Sequence, residues 1–282
     1  MSAVSSGGID RRIRPTGPSA AGQPLARRRF AGLSFTPVTV DETVAAMADR
    51  PADLPFAYFT TPNAEHAFWL RRLRTYGDVI ESAWLSTCDS RILKRLARFA
   101  GVDLPLTPGA YVVNRLFDGV VHPDDPITII GCSDQVVSIL MRRYGLTRVA
   151  HHYPPMGFIK DPAAVQAAID FVKAHPARFV FIAMGPPHSD QLAREIHKAN
   201  AVPDAEGRRP TGIALCIGGA LNTLSGDYPR CPDWMENNGL VWLFRLWMEP
   251  KRLWRRYLVR SMAGVGYALL DLATRPFRRN AD

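Results

Sequence analysis

Between residues 56 and 218, short unbroken apolar runs alternate with longer stretches whose apolar positions recur at helical spacing. FAYFT (56–60), AWLST (83–87), ITIIG (127–131), RFVFIAM (178–184) and GIALCIG (212–218) read as strands. Helical periodicity falls between them, at 64–75, 91–99, 134–144, 162–174 and 189–199. Continuously apolar strands that take turns with helices predict an α/β fold whose parallel sheet is covered by helices on both faces. In such sheets ligands bind beyond the carboxyl ends of the strands. The residues that follow each run therefore carry the functional interest: Thr61 and Asn63, Asp89 and Ser90, Cys132 to Asp134, GPPHSD from Gly185, and Gly219 with Ala220.

Asp89 is the first candidate, since a carboxylate at a strand end can face a cleft and act as a general base. The plainer reading is a helix N-cap. Thr61 and Asn63 carry the same pair of readings, because both residue types close turns and start helices. Asp134 reads as the cap of the next helix, where backbone amides could also hold a phosphate. Gly131, Gly185, Gly218 and Gly219 are the candidate substrate-binding backbone, yet none belongs to a GxGxxG or P-loop pattern. There is no DxD pair, and Asp124-Asp125 sits before a strand as a turn, so a metal-independent route is expected. His151 and His152 read as the partly exposed end of a strand and His188 as part of the loop after Met184; with His197 they show no metal-ligand spacing and receive no role, and no GxSxG elbow is present. No cofactor is implied.

Charge changes the picture at the two ends. The net charge is +9, from 30 Arg and 5 Lys against 26 acids. Residues 1–40 carry +5 and residues 245–282 carry +6, so the middle is close to neutral. That distribution argues against a nucleic-acid-binding body and for basic ends that meet an anionic surface. Residues 1–30 are rich in Ser, Gly, Pro, Ala and Arg, and read as a disordered tail. Four scattered cysteines without a CxxC pair suggest neither a disulfide framework nor a zinc site, and fit a reducing cytosol. No apolar h-region and no window near the roughly 18 apolar residues of a membrane span appear.

GLVWLFRLWMEPKRLWRRYL (239–258) places three of the six tryptophans among five cations. Pro250 suits the first turn of a new helix. On a wheel for 251–265, Leu253, Trp254, Tyr257, Leu258, Met262 and Val265 gather on one side and Arg252, Arg255, Arg256 and Arg260 on the other. This pattern predicts an interfacial helix, with aromatics at the headgroup boundary and cations for anionic lipid or diphosphate. A helix docked on the body with a solvated basic face is the alternative.

Four blocks in register, TPNAEH (61–66), Asp89 after the next strand, GPPHSDQLA (185–193) and residues 217–257, resemble the WecG/TagA/CpsF glycosyltransferases, family 26, over roughly residues 30–260. The resemblance implies a Rossmann-like domain over 31–230 and a basic C-terminal appendage over 231–282. It further implies inverting, metal-independent transfer of a hexose-type sugar from a UDP-sugar to a polyprenyl-diphosphate-linked saccharide acceptor, in cell-surface or exopolysaccharide assembly, at the cytoplasmic face of the membrane. Thr61 and Asn63 would lie near acceptor or base, Asp89 would be the catalytic carboxylate, and Arg230, Arg245, Arg252, Arg255 and Arg256 would stabilise the diphosphate. The chain departs from the family pattern at Ser90, at Pro187 to Asp190, at Val241, and around Gly109, Ala110 and Tyr111. An inactive relative that keeps nucleotide or lipid binding is the second reading, and self-assembly into a homo-oligomer is compatible with the pattern.

Overall fold

The computed structural model describes residues 26–278. The greater part of the expected N-terminal tail, residues 1–25, lies outside them. Its last residues depart from expectation: Arg28–Phe30 form strand β1, which pairs antiparallel with β2 (Leu33–Phe35). Burial of Phe30, Leu33 and Phe35 explains why this hairpin is part of the body, although its arginines belong compositionally to the tail.

The remaining strands are β3 (Ala57–Thr60), β4 (Leu85–Ser86), β5 (Ile127–Gly131), β6 (Val149–His152), β7 (Phe179–Ala183) and β8 (Ile213–Cys216). They form one six-stranded sheet in the order β4-β3-β8-β7-β5-β6, and every pairing is parallel. The helices are α1 (Val40–Asp49), α2 (Ala64–Arg72), α3 (Tyr76–Glu81), α4 (Arg91–Phe99), α5 (Gly109–Gly119), α6 (Asp134–Tyr144), α7 (Pro162–Ala174), α8 (His188–Lys198), α9 (Ala220–Ser225), α10 (Asp233–Asn237), α11 (Val241–Met248) and α12 (Pro250–Trp254). A π-helical turn, Arg255–Ser261, leads into α13 (Met262–Arg278).

The period-2 alternation of a strand sorts side chains between the two faces of the sheet. Phe179 and Phe181 of β7 join Ile127 and Ile129 of β5 and Leu215 of β8 in a core shared with α5, α6 and α9. Val180, Ile182 and Ala214 point the other way, into a core with Ile169 and Val172 of α7 and Leu192 and Ile196 of α8. A third cluster gathers β1, β2, α3 and α4 around Ala67 of α2 and Ala268 of α13. The C-terminal segment is therefore docked on the body. Its approach is close: a Cβ added to Gly264 would fall 1.7 Å from the carbonyl oxygen of Ala64, a contact only glycine permits.

Several elements differ from the sequence expectation. The helix expected over 64–75 ends at Arg72 with extended backbone at Leu73, and a second helix begins at Tyr76. The cap of α4 is Ser90, whose Oγ accepts from Leu93 N–H at 3.2 Å, so Asp89 is released from that role. The cap of α6 is Ser133 and not Asp134, which instead pairs with His151 at 2.9 Å. Asn63 does cap α2, its Oδ1 accepting from Glu65 N–H at 3.0 Å.

Candidate functional site

Because all six strands run parallel, their carboxyl ends share one edge, and a single open cleft of about 2180 Å³ lies beyond it. That exceeds the ~300–1,000 Å³ typical of a one-ligand pocket and leaves room for two substrates side by side. Thr61 and Asn63 line it after β3, Asp89 after β4, Gly131 and Cys132 after β5, Gly185 after β7, and Gly218 and Gly219 after β8. Gly131 has φ +87°, and a Cβ there would stand 2.9 Å from Met184, so the turn out of β5 requires glycine. Cys132 beside it is held at φ 54°, a left-handed conformation that is costly for a residue with a side chain.

The opposite wall is the C-terminal segment. Arg230, Arg245, Arg252, Arg256 and Arg260 all line the cleft. Arg255 does not: it is exposed, with its guanidinium over the Trp254 ring at 5.2 Å. The expected grouping of Arg252, Arg255, Arg256 and Arg260 on one side of a single helix is thus corrected. In a π-helical turn each bond reaches one residue further than in an α-helix, which shifts the phase of the wheel. Arg256 and Arg260 are consequently turned inward, onto Glu65 of α2.

Glu65 is 1% exposed and holds both cations. Its Oε2 lies 2.8 Å from Arg256 Nε, and its Oε1 accepts from Arg260 Nη1 at 3.1 Å. Arg260 also stacks over Trp69 at 5.0 Å. Arg252 is engaged by Glu249, its Nε 2.8 Å from Oε1, and Arg230 lies 3.4 Å from Asp233. Arg245 has no carboxylate within 4 Å among the described residues, which leaves its guanidinium available to an anionic ligand.

Asp89 sits half-buried between these two walls. Its backbone N–H donates to Pro62 O at 3.1 Å, strapping the loop after β4 to the loop after β3. Burial pushes its carboxyl up to about 6, while Arg245, His66 and Arg256 pull in the opposite direction. A carboxylate that titrates near neutrality, at a cleft, beside guanidinium groups, has the properties of a general base. Among the described residues no three His, Cys, Asp or Glu side chains converge so as to hold a metal ion.

Sequence reasoning missed Glu65, Arg260 and a buried network around Asp190. Glu65 stands within TPNAEH, and a carboxylate on the otherwise buried start of α2 was the available signal. Asp190 is 1% exposed and accepts from Thr60 Oγ1 at 2.5 Å and Tyr76 OH at 3.0 Å, with His66 Nε2 at 3.5 Å. Burial opposes its ionisation, but His66 and the hydrogen bonds from Thr60 and Tyr76 prevail and hold the carboxyl below its ordinary value.

The family model described as Glycosyl transferase WecG/TagA/CpsF matches residues 28–278. Two similar proteins are both N-acetylglucosaminyldiphosphoundecaprenol N-acetyl-beta-D-mannosaminyltransferases. That of Bacillus subtilis (strain 168) is 26% identical over 210 residues, covering 72% of this chain and 75% of the relative. That of Bacillus spizizenii (strain ATCC 23059 / NRRL B-14472 / W23) is 25% identical over the same length and shares.

Proposed function

From the premise that the chain belongs to the WecG/TagA/CpsF glycosyltransferase family, we propose that it moves a hexose-type sugar from a UDP-sugar to a saccharide carried on polyprenyl diphosphate. The observation that carries this reading is the convergence of Asp89 and the C-terminal arginines on one cleft. Asp89 takes the proton of the acceptor hydroxyl as that oxygen attacks the anomeric carbon from the face opposite the leaving group, so the configuration inverts. The bond to UDP breaks, and negative charge develops on the diphosphate. Arg245, with Arg256 behind it, meets that charge through paired N–H donors. Thr61 and Asn63 stand at the acceptor end of the same wall, and the backbone at Gly131, Gly185, Gly218 and Gly219 lets the nucleotide lie close to the sheet edge.

The relatives transfer N-acetylmannosamine to N-acetylglucosaminyl-diphospho-undecaprenol, and that donor and acceptor are the first pair to test. No helix among the described residues is long and apolar enough to cross a membrane. The C-terminal segment nevertheless exposes Trp247 (75%), Trp254, Leu258, Val259 and Met262 alongside its cations. Such a composition favours resting on an anionic bilayer at the depth where a lipid-linked acceptor presents its head group.

The experiment is a panel of UDP-sugars offered with a synthetic prenyl-diphosphate-linked acceptor, with and without anionic vesicles. Turnover with one donor, raised by vesicles, is the expected result. Tight UDP binding with no turnover from any donor would instead identify an inactive relative.

A further inference from the structure

Asp190 lies behind the cleft wall and is absent from its lining, yet it is among the most completely buried acids of the chain. Placing a carboxylate in the interior is expensive unless hydrogen bonds and an opposite charge compensate. Four groups face it from four elements: Thr60 from β3, Tyr76 from α3, His66 from α2 and, at 3.4 Å, Ser189 Oγ from its own helix α8. Cys216 of β8 lies within electrostatic reach. Thr60 and Tyr76 satisfy one oxygen each by hydrogen bonding, and the imidazole is the opposite charge available to the pair.

The far edge of that imidazole leads to the cleft. His66 is 4% exposed, and its Nδ1 stands 3.2 Å from Asn63 N and 3.1 Å from Asn63 Oδ1. With Nε2–H directed at Asp190, the neutral ring accepts the Asn63 N–H at Nδ1. When protonated, the same ring donates from Nδ1 to Asn63 Oδ1. Either form leaves the ring in place. Since Oδ1 is also committed to the Glu65 N–H, the amide of Asn63 has one permitted flip, and its Nδ2 donors have no acceptor among the described residues. They are the part of Asn63 left for a ligand in the cleft.

We propose that Asp190 and His66 form a buried positioning pair for the reaction. Asp190 fixes the imidazole, the imidazole fixes Asn63 at the cleft wall, and the same ring faces Asp89. The groups that face Asp89 are His66 from α2, Arg245 from α11 and Arg256 from the π turn, with Glu65 drawing Arg256 the other way. Of these, His66 is tied to buried Asp190 and Arg256 to buried Glu65, and His66 is the one that also contacts Asn63. This inference rests on Asp89 being the base.

The test compares the full-length chain with His66→Gln, His66→Met and Asp89→Asn, reading kcat and KM across pH 5–9 together with UDP affinity and thermal unfolding. Both His66 variants are expected to lose about 10- to 100-fold in kcat through misplacement of Asn63, with UDP affinity within twofold of the parent. The acid limb of kcat/KM should move to higher pH, because one of the groups that lower the Asp89 carboxyl has been removed. Should either variant disturb the fold by leaving Asp190 buried without its partner, the double variant His66→Gln/Asp190→Asn removes both members together and answers the question. A folded His66 variant with unchanged kcat and an unmoved acid limb overturns the pair, even where Asp89→Asn is inactive. Activity in Asp89→Asn instead overturns the base on which the inference depends.

Discussion

Replacing Asp89 by Asn is expected to make the protein more stable as it makes it inactive. The ordinary carboxyl value of 3.8 is raised to about 6 in the fold, chiefly by burial. At about 1.36 kcal/mol per pH unit that rise corresponds to about 3 kcal/mol. Because the carboxyl borders an open cleft, solvent screening reduces the effect to about 2 kcal/mol. Its sign follows from proton binding. Between pH 4 and 6 the folded state holds this proton more tightly than the unfolded chain does, so stability falls as pH rises through that window. The cost is absent below about pH 4 and fully present above about pH 6. Asn carries no such charge and escapes it.

Thermal unfolding of the parent and Asp89→Asn at intervals from pH 4 to 8 measures the difference directly. The two should coincide near pH 4 and separate above pH 6 by about 4–8 °C, the shift that ~2 kcal/mol produces in a chain of this size. A gap that does not change with pH, or a variant less stable at pH 7, would refute the idea that burial of this carboxylate is held for function. The same carboxyl predicts that turnover of the parent declines as pH falls through about 6.

Two further predictions concern the C-terminal segment. Gly264→Ala places a methyl group against the Ala64 carbonyl and should lift α13 from α2, exposing the arginines of 251–260 to trypsin, while Gly266→Ala, which meets nothing within 4 Å, should leave the cleavage pattern unchanged. Arg256→Ala should lower kcat about 100-fold with a short, water-soluble acceptor, whereas Arg255→Ala, outside the cleft, should stay within twofold; equal losses would mean that the inward turn of Arg256 has no part in catalysis.

The sheet was legible because its strands are buried on both faces. ITIIG coincides with β5, and the other four apolar runs each contain one observed strand. What escaped were elements without that signature. β1 is RRF within a run of arginines, whereas β6, VAHH on the edge of the sheet, showed only in His151 and His152 as the partly exposed end of a strand. α5 opens on Gly109 after Pro108 and carries no side-chain cap to announce it. Asp89 was locatable from pattern alone, since a parallel sheet brings every strand end to one edge. Its release from capping was not, because Asp89 and Ser90 are both capping residues and only the geometry selects Ser90.

The arginines of the C-terminal segment resisted sequence reasoning for a different reason, which bears on their function. A wheel at 100° per residue assumes α-helical winding, and the π turn over Arg255–Ser261 violates that assumption where the cations are densest. A helix with all its arginines on one solvated face could bind lipid but could not build a site. Here the altered winding divides them: Arg255 stays outside with Trp254, while Arg256 and Arg260 pass under it to Glu65. Glu65 carries one negative charge against two positive ones, so the docked segment keeps an excess of cation at the cleft, and Arg245 adds a guanidinium with no partner within 4 Å among the described residues. An anion of more than one charge, such as a diphosphate, is what that imbalance is fitted to hold. Glu65 seats the segment together with the packing of Ala268 and the close approach at Gly264, and the remainder of the segment's charge is left for the ligand.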